Sequence, residues 1–299
     1  MGAVSADASG RVLFSDGADR EAYPASVTKL MTALIVLEDV RAGRYSFLDV
    51  ATATPDVVKC EASWVGLKTG EKMSVRDLLY AMLVESANDA AIVLGVHSAG
   101  SFDAFVARMN ARAQELGMAA TRYYNPNGLP PNSSKRYPWK SFNVSTASDQ
   151  LKLALQLVKY PEIFEFTSVK TCDLIKTAGG YRVSVTRSVN RPLRETKLVQ
   201  GERIVKQLRN HNNVMRMDKL KILNPDGKEA VDGLKTGFIA AGGSSIVLTG
   251  VREGKRAIVV VLGSDAMLDA KGRTLRKSSD VRDDNARRLL SDALGSLVW

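Results

Sequence analysis

The chain has 299 residues and carries 42 Lys and Arg against 32 Asp and Glu, which gives a formal net charge of +10. This length allows one large domain or two small ones. The basic balance favours an acidic partner, but no zinc-finger or aromatic-basic RNA-binding pattern accompanies it, so we expect no nucleic acid partner. The long apolar runs, such as residues 257–262, are far shorter than the roughly 20 residues of a membrane-spanning helix, and we expect a soluble chain.

Cysteine and histidine usage gives no indication of a metal or cofactor. Cys60 and Cys172 are too far apart for a redox motif and are expected to be unpaired thiols. The two histidines, His97 and His211, form no His-x-x-x-His pair, so we predict no metal site and no cofactor. The first residues lack the charged and apolar parts of a secretory signal, so export would require that a signal has been removed.

The N-terminal half predicts a hairpin followed by helices. Two short strands are predicted at residues 3–6 and 11–14. A helix is predicted from Ser26, because apolar residues recur at helical spacing behind Pro24. Residues 74–116 show helical periodicity along their length, which predicts an all-helical middle region.

The C-terminal half predicts one more helix, a β-rich segment and a final group of strands. The helix covers residues 145–160 and is capped by Ser145 or Thr146. Residues 172–216 are basic and rich in Thr, Val and Arg, which predicts a β-rich insertion. Three strands and a closing helix follow, at residues 233–237, 244–251, 256–263 and 282–298. The order of elements predicts an α/β sandwich, with one antiparallel sheet formed by the N- and C-terminal strands, in a single domain over residues 1–299.

A Ser-x-x-Lys motif at the start of the first helix predicts a serine nucleophile. A serine hydroxyl needs an adjacent base, and residues three apart on a helix share a face, so Lys29 reaches Ser26. A lysine becomes a base only when burial or a second cation lowers its pKa. We expect Lys235 to supply that cation, which leaves one of the two lysines neutral.

A second motif, Ser86-Ala87-Asn88, falls at a break between two apolar helices. A loop at this break presents polar side chains to a cleft. Ser86 is suited to relay a proton from Ser26 to a leaving amine, and Asn88 to hold a substrate amide.

The third motif, Lys235-Thr236-Gly237, lies in a predicted strand whose edge can pair with an extended peptide. Lys235 and Thr236 are predicted to hold a terminal carboxylate, and Gly237 to leave room for its close approach. The backbone N–H groups of Ser26 and Phe238 are predicted to form an oxyanion hole. Residues 68–70 also read Lys-Thr-Gly, but they precede Ser86 in a polar turn, and we expect them to be a loop.

With their surroundings, these motifs resemble the D-alanyl-D-alanine carboxypeptidase family, the low-molecular-mass penicillin-binding serine peptidases. The matching blocks are YPASVTKLMT (23–32), VESANDAA (84–91), YNPNGL (124–129), STASD (145–149) and DGLKTG (232–237). The resemblance implies the fold shared by β-lactamases and penicillin-binding proteins, an acyl-enzyme mechanism acting on peptidoglycan stem peptides, and β-lactams as covalent inhibitors of Ser26. It also implies an exported, periplasmic or cell-envelope protein.

The chain departs from the family pattern at three points. Phe238 and Ile239 follow the glycine where His and Thr are common, which leaves the side-chain contacts at that edge open. The distance from Asn88 to Lys235 is long, and we assign the extra residues to the 172–216 segment. Many relatives carry a second β-rich domain after the catalytic one; since this sequence ends with the closing helix, we expect either a single-domain member or a chain shortened before that domain.

Three activities remain open at this point. The first hypothesis is a D-Ala-D-Ala carboxypeptidase, and the second is a DD-endopeptidase that cuts cross-links. The third is a catalytically slow penicillin-binding sensor or scaffold. A class A β-lactamase is disfavoured because no Glu-x-x-Leu-Asn segment lies between Asn88 and Lys235. The basic stretch at residues 197–221 is interpreted as a solvated face, with contact to an anionic cell-wall polymer as the alternative.

Overall fold

The computed structural model describes residues 1–57, 63–131, 141–268 and 274–297. The strands in these ranges are β1 (Gly2–Asp7), β2 (Val12–Asp16), β3 (Val50–Thr52), β4 (Lys72–Ser74), β5 (Val169–Lys176), β6 (Tyr181–Ser188), β7 (Arg203–Arg209), β8 (Val231–Ile239), β9 (Gly243–Arg252), β10 (Lys255–Ser264), β11 (Met267–Leu268) and β12 (Thr274–Arg276). The helices are α1 (Lys29–Arg41), α2 (Val75–Val84), α3 (Asn88–Ala99), α4 (Phe102–Glu115), α5 (Ala147–Leu157), α6 (Ile163–Thr167), α7 (Asn213–Arg216) and α8 (Ser278–Ser296).

A five-stranded antiparallel sheet joins the two ends of the chain. Its strand order is β2-β1-β10-β9-β8, so the N-terminal hairpin pairs with the C-terminal strands through β1 and β10. The register places Val4 opposite Val260. This arrangement confirms the predicted sheet, and it leaves β8 at one edge.

Both faces of this sheet are covered, because its strands alternate apolar side chains between two cores. In β10, Val259 and Val261 pack toward α8, whereas Ile258 and Val260 pack toward α1 and the other helices. The chain therefore forms three layers, with α8 on one face and the helical region on the other.

The helical middle region consists of α2, α3 and α4; the break between α2 and α3 was predicted from the Ser86 motif, whereas the break between α3 and α4 was not. The first break is at Ser86, whose φ of 65° is incompatible with a continuing helix. At the second break Gly100 has φ +80° and the Ser101 side chain caps α4. The closing helix begins at Ser278, before the predicted start, because its polar first turn has no apolar periodicity to reveal it.

A second, three-stranded antiparallel sheet, in the order β6-β5-β7, lies within residues 169–209. It covers much of the segment for which β structure was expected. The description of this segment as an insertion stays a prediction.

Among the described residues, no single helix has the length and apolar character needed to cross a membrane. The consecutive helices α3 and α4 together meet those two criteria, but they are bent by 85°.

Candidate active site

Ser26 lies in a 3-10 turn, Ala25–Thr28, that leads directly into α1. The predicted α-helix therefore begins three residues later than expected, at Lys29. In a 3-10 turn, residues three apart lie one above the other, so this geometry places Lys29 beneath Ser26 more directly than an α-helix does. Ser26 is half-buried at the floor of a cleft.

The Lys29 side chain is completely buried, and three oxygen atoms of described residues lie within hydrogen-bond distance of its Nζ. Nζ lies 2.9 Å from Ser26 Oγ, 2.7 Å from Asn88 Oδ1 and 2.7 Å from the Asn127 carbonyl oxygen. The first two motifs thus meet at a single nitrogen, although 59 residues separate Lys29 from Asn88 in the chain.

The third oxygen atom belongs to a turn at residues 125–128 that is fixed against α1. Asn143 Nδ2 donates to Thr28 Oγ1 (3.0 Å) and to the Asn125 carbonyl (3.0 Å). Thr32 Oγ1 donates to the Pro126 carbonyl, 2.8 Å away.

A glycine brings this turn against the backbone of Ala25 and Ser26. Gly128 has φ +84°, and a Cβ at this position would lie 1.8 Å from the Ala25 carbonyl oxygen. Only glycine permits so close an approach. The turn falls in one of the five sequence blocks, but its contact with Lys29 is made by a backbone atom that no motif names.

Ser86 and Asn88 lie where the sequence predicted them, at the break between α2 and α3. Both side chains are buried, and Ser86 lines the cleft beside Ser26. The neighbouring Asp89 accepts hydrogen bonds from the backbone N–H groups of Gly66 (2.9 Å) and Leu67 (3.0 Å), which fixes the loop that borders the break.

Lys235, Thr236 and Gly237 lie in β8, at the edge of the main sheet. The Lys235 ammonium is buried and donates to the Thr236 carbonyl at 3.0 Å. Burial, and then the nearby Arg282 guanidinium, lower the pKa of Lys235 to about 7. Phe238 is 61% exposed and lines the cleft with Thr236.

Gly237 has a neighbour that the sequence did not predict. A Cβ there would lie 2.6 Å from the Pro24 carbonyl oxygen and 3.1 Å from the Ser26 backbone nitrogen. Because Gly237 has no side chain, β8 can lie against the Ala25–Thr28 turn that contains Ser26. The predicted role of Gly237 in admitting substrate stays a prediction. The other Lys-Thr-Gly triplet forms a turn before β4, in which Gly70 has φ +88°, as expected for a loop.

The cleft has a volume of about 900 Å³ and is lined by cations that the motifs do not contain. Arg209, Arg216, Lys277 and Arg282 line it, with Glu85 as the single lining carboxylate of the described residues. Sequence reasoning missed Arg282 because it lies on the polar first turns of α8, where spacing carries no information about the cleft.

His211 is a further lining residue without a predicted role. His211 is exposed at the surface of the cleft, but the surrounding walls of the cleft desolvate its ring. This desolvation, and then the nearby Lys235 charge, lower the pKa of His211 well below its usual range. The neutral ring adds polar contacts to the cleft without adding charge.

Within the described ranges, no group of three or more His, Cys, Asp and Glu side chains is arranged to hold a metal ion. Cys172 is buried in β5, and burial raises the pKa of its thiol. Cys60 lies outside the described residues.

The family model described as D-alanyl-D-alanine carboxypeptidase matches residues 3–204. The chain is 27% identical over 255 residues to D-alanyl-D-alanine carboxypeptidase DacF of Bacillus subtilis, covering 85% of this chain and 54% of that protein. It is 36% identical over 159 residues to a D-alanyl-D-alanine endopeptidase of Pseudomonas aeruginosa, covering 53% of this chain and 47% of that protein.

Among solved structures, penicillin-binding protein D2 from Listeria monocytogenes, in its ampicillin-bound form, is similar with a TM-score of 0.70 and 28% identity. The match covers 98% of this chain and 96% of that one, and it confirms the predicted fold class. The chain spans about half the length of the curated relatives that it matches. Since the family model matches two thirds of its residues, the chain belongs to the D-alanyl-D-alanine carboxypeptidase family.

Proposed function

We propose that this chain is a serine-type D-Ala-D-Ala carboxypeptidase that acts on peptidoglycan stem pentapeptides through an acyl-enzyme at Ser26. The observation that carries the proposal is the set of three oxygen atoms around Lys29 Nζ. A neutral amine has two N–H bonds and one lone pair. The carbonyl oxygens of Asn88 and Asn127 can only accept, so they take both N–H bonds and direct the lone pair at the Ser26 hydroxyl.

In the acylation step, Ser26 Oγ attacks the carbonyl carbon of the penultimate D-Ala while its proton passes to Lys29 Nζ. The backbone N–H groups of Ser26 and Phe238 stabilise the oxyanion. The C–N bond then breaks, and Ser86 relays the proton to the leaving amine of the terminal D-Ala. Water hydrolyses the Ser26 ester and restores the enzyme.

The substrate is held at both ends of the scissile bond. Asn88 holds an amide of the acyl part while its Oδ1 orients Lys29. Lys235 and Thr236 hold the terminal carboxylate, and the buried Arg282 adds a second cation beside Lys235. A β-lactam presents a carboxylate and a reactive amide in a similar arrangement, so we expect β-lactams to acylate Ser26.

A DD-endopeptidase is the second candidate, because the chain also resembles proteins of that name and the cleft has room for more than a dipeptide. A slow penicillin-binding sensor or scaffold is the third. All three place the protein in the cell envelope, exported to the periplasm or cell wall. We also propose that the basic stretch at residues 197–221 contacts an anionic cell-wall polymer. A single catalytic domain over residues 1–299 is a further proposal.

The test uses fluorescent penicillin, a stem pentapeptide and a cross-linked muropeptide. We expect the wild type to label with penicillin and to release D-Ala from the pentapeptide, and Ser26→Ala to do neither. Labelling of a folded Ser26→Ala variant would refute the assignment of the nucleophile. Cleavage of the muropeptide alone would favour the endopeptidase, and labelling without cleavage of either peptide would favour the sensor.

A further inference from the structure

The cleft extends to an end that is built from α7 and the start of α8. Asn213 and Arg216 of α7 line the cleft, as do Lys277 and Arg282 at the start of α8. Asn213 Nδ2 donates to Asp283 Oδ2 at 2.9 Å, which ties the two helices together. This end therefore has a defined shape that both helices maintain.

Two cations at this end have no carboxylate partner among the described residues. Arg282 is paired with Asp283, with Nη2 2.6 Å from Oδ1. By contrast, Arg216 is exposed and donates to Asn213 Oδ1 (3.0 Å), and Lys277 is exposed; neither forms an ion pair with another residue that the structure describes. Both side chains can therefore bind an anion without first breaking an ion pair.

The single lining carboxylate of the described part of the cleft, Glu85, has partners other than these two cations. Glu85 Oε1 pairs with Lys206 Nζ at 2.6 Å, and Glu85 Oε2 accepts a hydrogen bond from the backbone N–H of Arg209 at 3.0 Å. Both oxygen atoms of the Glu85 carboxylate are thus bound by residues of β7. The pKa of His211 is lowered first by desolvation, and the positive charges of Lys235 and Arg216 add to that lowering.

The proposed carboxypeptidase reaction leaves these two cations unused. The terminal carboxylate of the substrate is assigned to Lys235, Thr236 and Arg282, and a D-Ala leaving group has no other negative charge. We propose that Arg216 and Lys277 form a second anion subsite, which binds an additional carboxylate of the leaving amino acid or peptide. This inference rests on the proposed function and names the substrate class that the cleft favours, a leaving group with two or more carboxylates.

Two peptides that differ by one charge test the proposal. N-acylated D-Ala-D-Glu and D-Ala-D-Gln have nearly equal size, and only the first carries the additional carboxylate. We expect wild type to prefer the D-Glu peptide roughly fivefold in kcat/KM, mainly through KM, with the preference declining as salt is added.

The variants assign that preference to the two side chains. In the double variant Arg216→Gln/Lys277→Gln the preference should fall to about one, while kcat/KM for the D-Gln peptide stays unchanged. Arg288→Gln removes one positive charge, half of that removed in the double variant, from an exposed position of α8 outside the cleft lining, and should retain the preference. A wild-type ratio of one, or an unchanged ratio in the double variant, would overturn the subsite.

Competition of the two peptides against fluorescent penicillin gives the same ratio without requiring turnover. A D-Glu preference in competition with no hydrolysis would support the subsite and count against the carboxypeptidase activity. Equal competition by the two peptides, together with normal hydrolysis, would support the carboxypeptidase activity and count against the subsite. The two proposals can therefore fail separately.

Discussion

Two lysines serve the proposed reaction, and their surroundings differ. Lys29 Nζ lies among three oxygen atoms, one of them on the nucleophile, whereas the Lys235 ammonium donates to the Thr236 carbonyl and lies near Arg282. The first environment suits a base and the second a binding charge with a low pKa. The expected influence of Lys235 on Lys29 stays a prediction.

The pKa of Lys235, about 7, predicts how recognition of a carboxylate depends on pH. This pKa is depressed, so the ammonium is present below about pH 7 and is lost as the pH rises through that value. Arg keeps its charge to above pH 12, and Lys235→Arg should remove this loss. We expect the second-order rate of penicillin acylation, taken as the ratio of wild type to Lys235→Arg, to fall between pH 6 and 8.

The ratio removes the pH effects that both proteins share, so what remains reports the titration of Lys235, acting on the substrate carboxylate directly or through Lys29. Acylation at each pH is followed by stopped-flow fluorescence. A ratio that stays constant from pH 6 to 8 would mean that Lys235 does not titrate in this range.

At the scale of elements, the site is an assembly of segments that meet at the start of α1. Four segments each contribute one contact or one wall: the 3-10 turn of Ser26, the α2–α3 break, the 125–128 turn and β8. Periodicity predicted the helices, but it did not predict the break at Ser101 or the 3-10 turn. These features depend on side-chain caps and close backbone contacts, which leave little trace in a hydrophobic pattern.

Gly128→Ala should lower the free energy of unfolding and slow acylation of Ser26 by more than its positive φ alone would explain. A positive φ costs an L-residue about 1–2 kcal/mol, and the new Cβ would also collide with the Ala25 carbonyl. We expect a loss of unfolding free energy above 2 kcal/mol, together with at least a tenfold slower acylation of Ser26 in the folded fraction.

Gly43→Ala is the matched control, since Gly43 has φ +69° with no atom within 4 Å of a Cβ. It should cost only the backbone term, about 1–2 kcal/mol, and leave acylation unchanged. Denaturant unfolding and penicillin labelling give the two quantities. Equal losses in the two variants would show that the contact of Gly128 with Ala25 has no effect of its own.

At the scale of the whole molecule, α8 has two roles. Its apolar side chains cover the outer face of the sheet, and its first turns place Lys277 and Arg282 in the cleft. The two roles lie at different parts of the helix, so packing can be weakened without altering a lining residue.

Leu290→Ala tests this separation. Leu290 is completely buried between α8 and the sheet, and its truncation should lower the free energy of unfolding by about 2–5 kcal/mol. The rate of penicillin acylation per folded molecule should not change. Arg288→Ala, on the exposed side of the same helix, should stay within about 0.5 kcal/mol of wild type.

Thermal or denaturant unfolding measures both variants. A loss below 1 kcal/mol in Leu290→Ala would mean that α8 contributes little to the stability of the sheet. A large loss of acylation in correctly folded protein would mean that its packing also sets the geometry of the cleft.

The sequence by itself determined the order of the main helices and strands, the pairing of the terminal strands in one sheet, and the three motifs that contain Ser26, Ser86 and Lys235. These depend on local periodicity and on residue types that the chemistry requires. Only the tertiary structure decided that the Asn127 carbonyl completes the surroundings of Lys29, and that α8 brings Arg282 to Lys235. A backbone oxygen has no residue identity to recognise, and electrostatic coupling depends on distances in space that spacing along the chain does not encode.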